Sequence, residues 1–152
     1  MAKKSAKSPQ KTPAPRLVKS DFEKMAHFRY QLRRFLRFSE DLTHKHGITV
    51  LQYLLLLQIR GFPGRDWATV GELAERLQAR HHGVVSLVSR CEAAGLVVRR
   101  TSISDRRQVE VHLTATGTRQ LEQLAQLHRQ ELASLQNGFA VPGLDTLFSD
   151  NS

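Results

Sequence analysis

The most chemically distinctive part of this chain lies between Thr69 and Gly117, where cationic side chains are concentrated. No acidic residue occurs from Gln78 to Cys91, and the segment from Leu96 to Arg107 holds four arginines against the single Asp105. Guanidinium groups pair with phosphates, and a surface without carboxylates does not repel a polyanion. An arginine-rich loop also suits a narrow, electronegative minor groove. The stretch therefore predicts contact with duplex DNA.

Two short helices must position the first half of these side chains. Thr69-x-x-Glu72 has the spacing of a capping box, which starts a helix by satisfying free amide groups. Apolar residues then recur at helical spacing twice, at Val70, Leu73, Ala74 and Leu77 and again at Val84, Leu87, Val88 and Cys91. The second helix is the candidate reading helix. Its expected DNA-binding residues are Arg80, His81, His82, Val85, Ser86, Ser89 and Arg90.

Individual roles follow from the chemistry of these groups. Arg90 is expected to hold a phosphate, and Val85 can touch a thymine methyl group. Gly83 inside the helix costs about 1 kcal/mol relative to alanine. It indicates either a close approach to DNA or a frayed first turn.

A basic hairpin is predicted after Gly95, which ends the reading helix. Leu96 to Arg100 reads as a strand, and Val109, Val111 and Leu113 alternate with polar residues as its half-buried partner. The loop between the two strands is a wing. Arg99, Arg106 and Arg107 are the expected DNA contacts of this hairpin.

The order and spacing of these motifs resemble the MarR family of winged-helix transcription regulators. The matching motifs are Ile48-Thr49-x-x-Gln52, Glu72-Leu73-Ala74-x-x-Leu77, Leu87-Val88-x-Arg90, Ala94-Gly95-Leu96-Val97, Asp105-Arg106-Arg107 and Leu113-Thr114-x-x-Gly117. Together they span roughly residues 22 to 136. The resemblance implies a mainly α fold with a small β-hairpin wing, in which a winged helix-turn-helix domain is flanked by N- and C-terminal dimerisation helices.

The resemblance also implies how such a protein works. A homodimer inserts two reading helices into the major groove, the wing arginine at Arg107 enters the minor groove, and Asp105 braces the wing arginines. Two helices related by a dyad predict a pseudo-palindromic site with half-site centres about 10 to 10.5 base pairs apart. Where the family commonly has a Ser or Thr cap and a Thr-Arg pair, this chain has Arg80-His81-His82-Gly83 and Val85-Ser86. Its base preference is therefore expected to be its own.

The chain divides into a basic arm and one domain. Residues 1–20 hold six basic residues and no acid within a formal net charge of +9, and they lack the apolar content to fold. This disordered arm either serves solubility or tracks phosphates beside the operator. Residues 21–152 form a single MarR-like domain, with dimerisation helices at 21–47 and 115–148 and the DNA-binding lobe at 48–114.

Both dimerisation helices show apolar patterns that call for a partner. The first is apolar over more than one face from Phe22 to Leu42, and the last runs from Thr114 to a stop at Asn137-Gly138. Phe139 to Phe148 is expected to add a short tucked segment. We expect helices of a second subunit to cover what the chain's own core does not.

A small effector, often aromatic and acidic, is implied by the resemblance alone. It would lodge where the dimer helices meet the lobe. The candidate pocket residues are Phe28, Arg29, Arg33, Tyr53 and Trp67. The alternative is that the aromatic residues are ordinary core and the arginines are solvated.

Other chemistries are not expected. Cys91 lies on the apolar side of the reading helix and should be buried and inert. The pairs His44-x-His46 and His81-His82 lack the further ligands that tetrahedral zinc needs, so no metal or cofactor is predicted. The chain shows no glycine-rich phosphate loop, nucleophile elbow or H-E-x-x-H motif, and no apolar run that spans a bilayer. We expect a cytoplasmic protein that is not an enzyme.

Two alternatives to a ligand-regulated regulator stay open. One is a winged-helix module that binds another protein through its wing or reading helix. The other is a constitutive architectural DNA binder without a ligand.

Overall fold

The structure, a computed structural model, describes residues 16–134. Its elements in chain order are α1 (Lys19–Lys45), α2 (Val50–Arg60), β1 (Trp67–Thr69), α3 (Val70–Leu77), α4 (His81–Ala93), β2 (Val97–Thr101), β3 (Val109–Leu113) and α5 (Ala115–Ser134). The predicted class, mainly α with a winged helix-turn-helix, is confirmed. Helix α1 begins at Lys19, two residues inside the predicted arm. Residues 1–15 of the arm, the end of the predicted final helix and the segment Phe139–Phe148 lie outside the described residues.

Two capping boxes start the helices of the lobe. At α3 the Thr69 amide donates to the Glu72 carboxylate at 2.8 Å, and the Glu72 amide donates to the Thr69 hydroxyl at 3.3 Å. At α2 the equivalent bonds join Thr49 and Gln52 at 2.9 and 3.1 Å. Both predicted boxes are therefore confirmed, and each satisfies two backbone amides that a helix start leaves open.

The sheet is larger than the predicted hairpin. Strand β3 pairs antiparallel with β2 on one side and with β1 on the other, in the order β1-β3-β2. Strand β1 has only three residues, too few to show the alternation by which a strand is recognised. A second correction concerns Val109, which was predicted to be half-buried but is 41% exposed. It pairs with Thr101 at the end of the ladder, beyond the reach of the core.

The core takes its buried apolar side chains from every element except α1, from which the partly buried Leu42 packs against it. Its buried members are Ile48, Tyr53, Leu55, Leu56, Ile59, Ala68, Leu73, Val84, Leu87, Val88, Cys91, Leu96, Val97, Val111, Leu121 and Leu124. This set includes the predicted inner positions of α4, and the predicted apolar face of α3 packs on the same cluster. The core therefore fixes which side of α4 faces outward.

The start of α5 lies directly on the turn that follows α4. Gly95 has a φ of 72°, a conformation that glycine adopts without strain. The Thr114 hydroxyl donates to the Gly95 carbonyl at 2.6 Å and accepts from the Gly117 amide at 3.0 Å. A Cβ on Gly117 would lie 2.0 Å from the Leu96 carbonyl oxygen. Only glycine lets the two segments approach this closely.

A buried polar cluster joins α1, α2 and α5. The His128 ring lies at 4.4 Å centroid distance from the Tyr53 ring and nearly parallel to it. Its Nδ1 donates to the Leu124 carbonyl at 2.7 Å, and its Nε2 lies 2.8 Å from the Ser39 hydroxyl. Burial raises the pKa of Tyr53. Ser39 and Thr43 are the buried residues of α1, so this helix meets the lobe through its second half. In the described part of the chain no helix is long and apolar enough to cross a membrane.

Candidate nucleic-acid interface

Helix α4 presents one side to the core and the other to solvent. Val84, Leu87, Val88 and Cys91 are buried, whereas His81, His82, Val85, Ser86 and Arg90 are exposed. Burial raises the pKa of the Cys91 thiol to about 11, so it carries almost no thiolate at neutral pH. The predicted inert role of Cys91 is thus supported by its surroundings.

The first turn of α4 is open to an anion. Its N-cap is Arg80, whose side chain makes no capping hydrogen bond, so the first amides of the helix have no side-chain acceptor. Amides and helix dipole at such an end attract negative charge. The preceding turn is held by Gln78, which adopts a left-handed conformation with φ of 50°. Gly83 is exposed, and a methyl group there would have no neighbour within 4 Å among the described residues.

Two serines of the exposed face already use their hydroxyl protons. Ser86 Oγ donates to the His82 carbonyl at 3.2 Å, and Ser89 Oγ donates to the Val85 carbonyl at 3.1 Å. Bonds of this kind leave the oxygen lone pairs available. The Ser86 oxygen therefore stays available to accept a hydrogen bond in this conformation.

The wing is a loop held by its own backbone and short side chains. The Ser102 amide donates to the Gln108 carbonyl at 2.9 Å, and the Asp105 carboxylate accepts from the Arg107 amide at 3.0 Å. Asp105 thus braces the turn through the backbone of Arg107. Among the described residues no arginine side chain lies within ion-pair distance of it. The guanidinium groups of Arg106 and Arg107 are left exposed at the tip.

Arg99 lies differently from the other predicted DNA contacts. Its side chain turns from β2 onto α4 and bonds Glu92, Val85 and Ser89. Sequence reasoning missed Glu92, which comes directly after the acid-free segment. The available signal was its position seven residues before Arg99 across the tight Gly95 turn. By contrast, Arg80, Arg90, Arg106 and Arg107 have no hydrogen-bonded or ion-paired side chain in the described part of the protein.

The five candidate pocket residues occupy separate places. Tyr53 is in the core against His128, and Trp67 packs on the Arg65 guanidinium at 3.8 Å. Phe28, Arg29 and Arg33 lie on the first half of α1. Of the five, only Arg33 lines the groove of about 610 Å³ along α1, whose other lining residues are Tyr30, Arg34, Leu36, Arg37 and Glu40.

The histidines do not assemble a metal centre within the described residues, where no three His, Cys, Asp or Glu side chains converge. His46 Nδ1 donates to the Leu42 carbonyl at 2.8 Å, so it is engaged by the end of α1. His81 and His82 are exposed at the start of α4. Their place is consistent with the predicted role on the reading face.

The MarR family model matches residues 46–108. A putative transcriptional regulatory protein for the hcr operon of Thauera aromatica is 29% identical over 131 residues, which span 82% of this chain and 77% of that protein. AbsC, a MarR family transcriptional regulator from Streptomyces coelicolor, superposes with a TM-score of 0.66 at 23% identity, over 83% of this chain and 82% of its own. A MepR mutant from S. aureus bound to an oligodeoxyribonucleotide superposes with a TM-score of 0.60 at 17% identity, over 87% and 91% of the two chains.

Proposed function

We propose that this chain is a MarR-family protein and a sequence-specific DNA-binding transcriptional regulator, a homodimeric repressor of a pseudo-palindromic operator. The observation that carries the proposal is the exposed side of α4, which is free of acidic residues from Gln78 to Cys91 and lies beside a wing with unpaired arginines. A MepR mutant of the same fold is bound to an oligodeoxyribonucleotide. A bound dimer represses by excluding other proteins from the same duplex.

The geometry of the lobe fits the reading of a major groove. The open N-terminus of α4 faces a phosphate, Arg90 faces a second one, and His81, His82, Val85 and Ser86 meet base edges. The wing then reaches the flanking minor groove with Arg106 and Arg107. Two such lobes related by a dyad contact half-sites about 10 to 10.5 base pairs apart.

The homodimer is supported by the uncovered apolar side chains of α1. Phe22 and Met25 are each about half exposed on that helix, and Leu132 is exposed on α5. Monomeric proteins rarely leave such a set on one surface. A second copy of α1 and α5 buries them, as the predicted dimerisation helices require.

We further propose that a small aromatic or phenolic ligand releases the DNA. The groove along α1 offers the Tyr30 ring and the Arg33, Arg34 and Arg37 guanidinium groups, which suit an aromatic ring with an acidic substituent. Because α1 joins the dimer to the lobe, occupation of this groove changes the distance between the two reading helices.

The first experiment is a fluorescence-anisotropy titration against the DNA upstream of the protein's own coding sequence and against a shuffled duplex, at two salt concentrations. Tight, salt-sensitive binding to the native fragment alone is the expected result. Arg107→Ala should weaken that binding and lower the salt slope by about one unit. Arg119→Ala, the same change of charge at the start of α5, is the matched control and should leave the slope unchanged.

Each alternative function has its own outcome in this titration. Equal, weak binding to both duplexes would indicate an architectural DNA binder. No binding at either salt concentration would indicate a module that recognises a protein. If the Arg107→Ala variant has the same salt slope as the wild-type protein, Arg107 does not contact the DNA.

A further inference from the structure

We propose that Arg99 is a positioning residue that fixes the reading helix against the wing and so sets sequence specificity, and that it is not a phosphate contact. The inference rests on the proposed function, because it concerns the helix that reads the DNA. It changes the role expected of Arg99 and adds Glu92, which no sequence pattern singled out.

The evidence is a network of four hydrogen bonds centred on Arg99. Its Nη1 donates to Glu92 Oε1 at 3.1 Å, and its Nη2 donates to the Ser89 hydroxyl at 2.9 Å and to the Val85 carbonyl at 3.2 Å. The Arg99 backbone amide donates to the other oxygen of Glu92 at 2.9 Å. A single carboxylate thus binds both the side chain and the main chain of the same residue.

The partners of Arg99 lie on the part of α4 that reads the DNA. Val85 and Ser89 are one helical turn apart on its exposed side, next to Ser86. The guanidinium therefore ties strand β2 to the middle of the reading face, while Glu92 ties it to the helix end. Helix and strand are also connected by the Ala94-Gly95 turn and through the core that Val88 and Val97 share, which lies on the opposite side of α4. The network fixes the angle between the two DNA-contacting elements.

The side chain of Arg99 is also poorly placed to act as a phosphate contact. It is 28% exposed and paired with a carboxylate that is itself 41% exposed. A charge-assisted pair of this kind must be broken before the guanidinium can turn to a phosphate. Arg100, the next residue on β2, is exposed and has no partner among the described residues.

Glu92 distinguishes a positioning role of Arg99 from a phosphate contact, because the two roles predict opposite changes in DNA affinity when the Glu92 carboxylate is removed. If only charge mattered, removing a carboxylate beside the DNA would strengthen binding to every duplex. If Glu92 positions Arg99 and α4, its removal weakens binding to the preferred sequence alone. Base-edge hydrogen bonds weaken steeply as distance and angle change, whereas phosphate attraction does not depend on the sequence.

The test uses the full-length protein and a duplex selected by it from a randomised pool, with a shuffled duplex as reference. The variants are Glu92→Gln and Arg99→Lys. The second variant keeps the positive charge of Arg99 but loses the planar guanidinium that donates several hydrogen bonds at once. We expect the ratio of affinities for the selected and shuffled duplexes to fall about tenfold in each. Binding to the shuffled duplex and the salt slope should stay as in the wild-type protein.

Controls separate positioning from loss of the fold. Arg100→Lys is the matched substitution on the same strand and should leave the affinity ratio unchanged. The double variant Glu92→Gln, Arg99→Lys should be no worse than either single variant, since both break one network. Ser89→Ala removes one of the three side-chain acceptors of Arg99, together with the bond of that hydroxyl to the Val85 carbonyl, and we expect a fall of about twofold to threefold in the same ratio. This milder variant decides the matter if the others unfold.

Two results would overturn the inference alone. One is Glu92→Gln that tightens binding to both duplexes equally. The other is Arg99→Lys that keeps the wild-type affinity ratio. If instead the wild-type protein fails to distinguish the two duplexes, the proposed function itself is wrong.

Discussion

The lobe formed by residues 48–114 buries most of its apolar side chains, whereas the first half of α1 leaves most of its own exposed. Leu55, Leu56, Ile59 and Leu73 have no accessible surface, while Phe22 of α1 is 53% exposed. Both regions are amphipathic helices in the sequence. They differ in what lies opposite the apolar side, which is the chain's own core in one region and solvent in the other.

This difference indicates two different sources of stability. Burial of apolar surface stabilises the lobe within one chain, because its core members contact one another. Most of the apolar side chains in the first half of α1 are exposed instead, and an isolated helix is marginal in water. We infer that association with a second copy further stabilises the first half of α1.

The largest expected effect is in the lobe core. Leu55→Ala should lower the free energy of unfolding by about 3 kcal/mol, since it removes a fully buried side chain and leaves a cavity. Leu51→Ala is the matched control, one turn earlier on α2 with a side chain that is 52% exposed, and should cost less than about 0.5 kcal/mol. Urea denaturation measures both. Equal losses would contradict the assignment of the core to this side of α2.

The next effect is at α1, and it should appear in association. Phe22→Asp places a charge on the apolar side, and we expect it to weaken dimerisation by about 2 kcal/mol, or about thirtyfold in Kd. Sedimentation velocity across a dilution series measures the shift. Lys24→Gln makes the same change of charge two residues away and should leave the Kd unaltered. A Phe22→Asp protein that associates as the wild type does would place the dimer interface elsewhere.

The lobe could be read from its sequence because its signals are local. The boxes at Thr49 and Thr69 and the apolar spacing of α4 depend on residues within one or two turns, and all three were predicted and confirmed. Gly117 was part of a recognised motif, but its close approach to the Leu96 carbonyl is visible only in the fold. Local periodicity thus gave the elements and their inner faces.

The features that could not be predicted from the sequence depend on contacts between residues that are far apart in the chain. Arg99 was identified as a cation, yet its partner is set by the angle at which β2 leaves the Gly95 turn. Strand β1 exists only because β3 offers it an edge. The candidate pocket residues Tyr53 and Trp67 share a chemical character and not a location. Residue type constrains what a side chain can bind, and packing decides which partner it meets.

The smallest expected effect concerns the first turns of the helices, which differ between the lobe and α1. Glu72 closes the box of α3 with a carboxylate and Gln52 closes that of α2 with an amide, whereas the N-cap of α1 is Val18, which offers no side-chain acceptor. Burial raises the pKa of Glu72, but hydrogen bonds from Thr69 and the Arg65 guanidinium lower it more, so this pKa lies below its usual value. A carboxylate of this kind stabilises the fold above its unfolded-state pKa.

We therefore expect Glu72→Gln to cost less than about 1 kcal/mol at neutral pH, because the amide still accepts from Thr69 and the lost pair with Arg65 is partly exposed. The direction in which this stability difference changes with pH follows from the lowered pKa of Glu72. The wild-type advantage is complete above the unfolded-state pKa of about 4.3 and is lost as the pH falls through the folded-state value. Urea denaturation of both proteins from neutral to acid pH measures it. An advantage that stays constant with pH would mean that Glu72 acts on α3 as a neutral cap, as Gln52 does on α2, and that charge adds nothing to the lobe at this point.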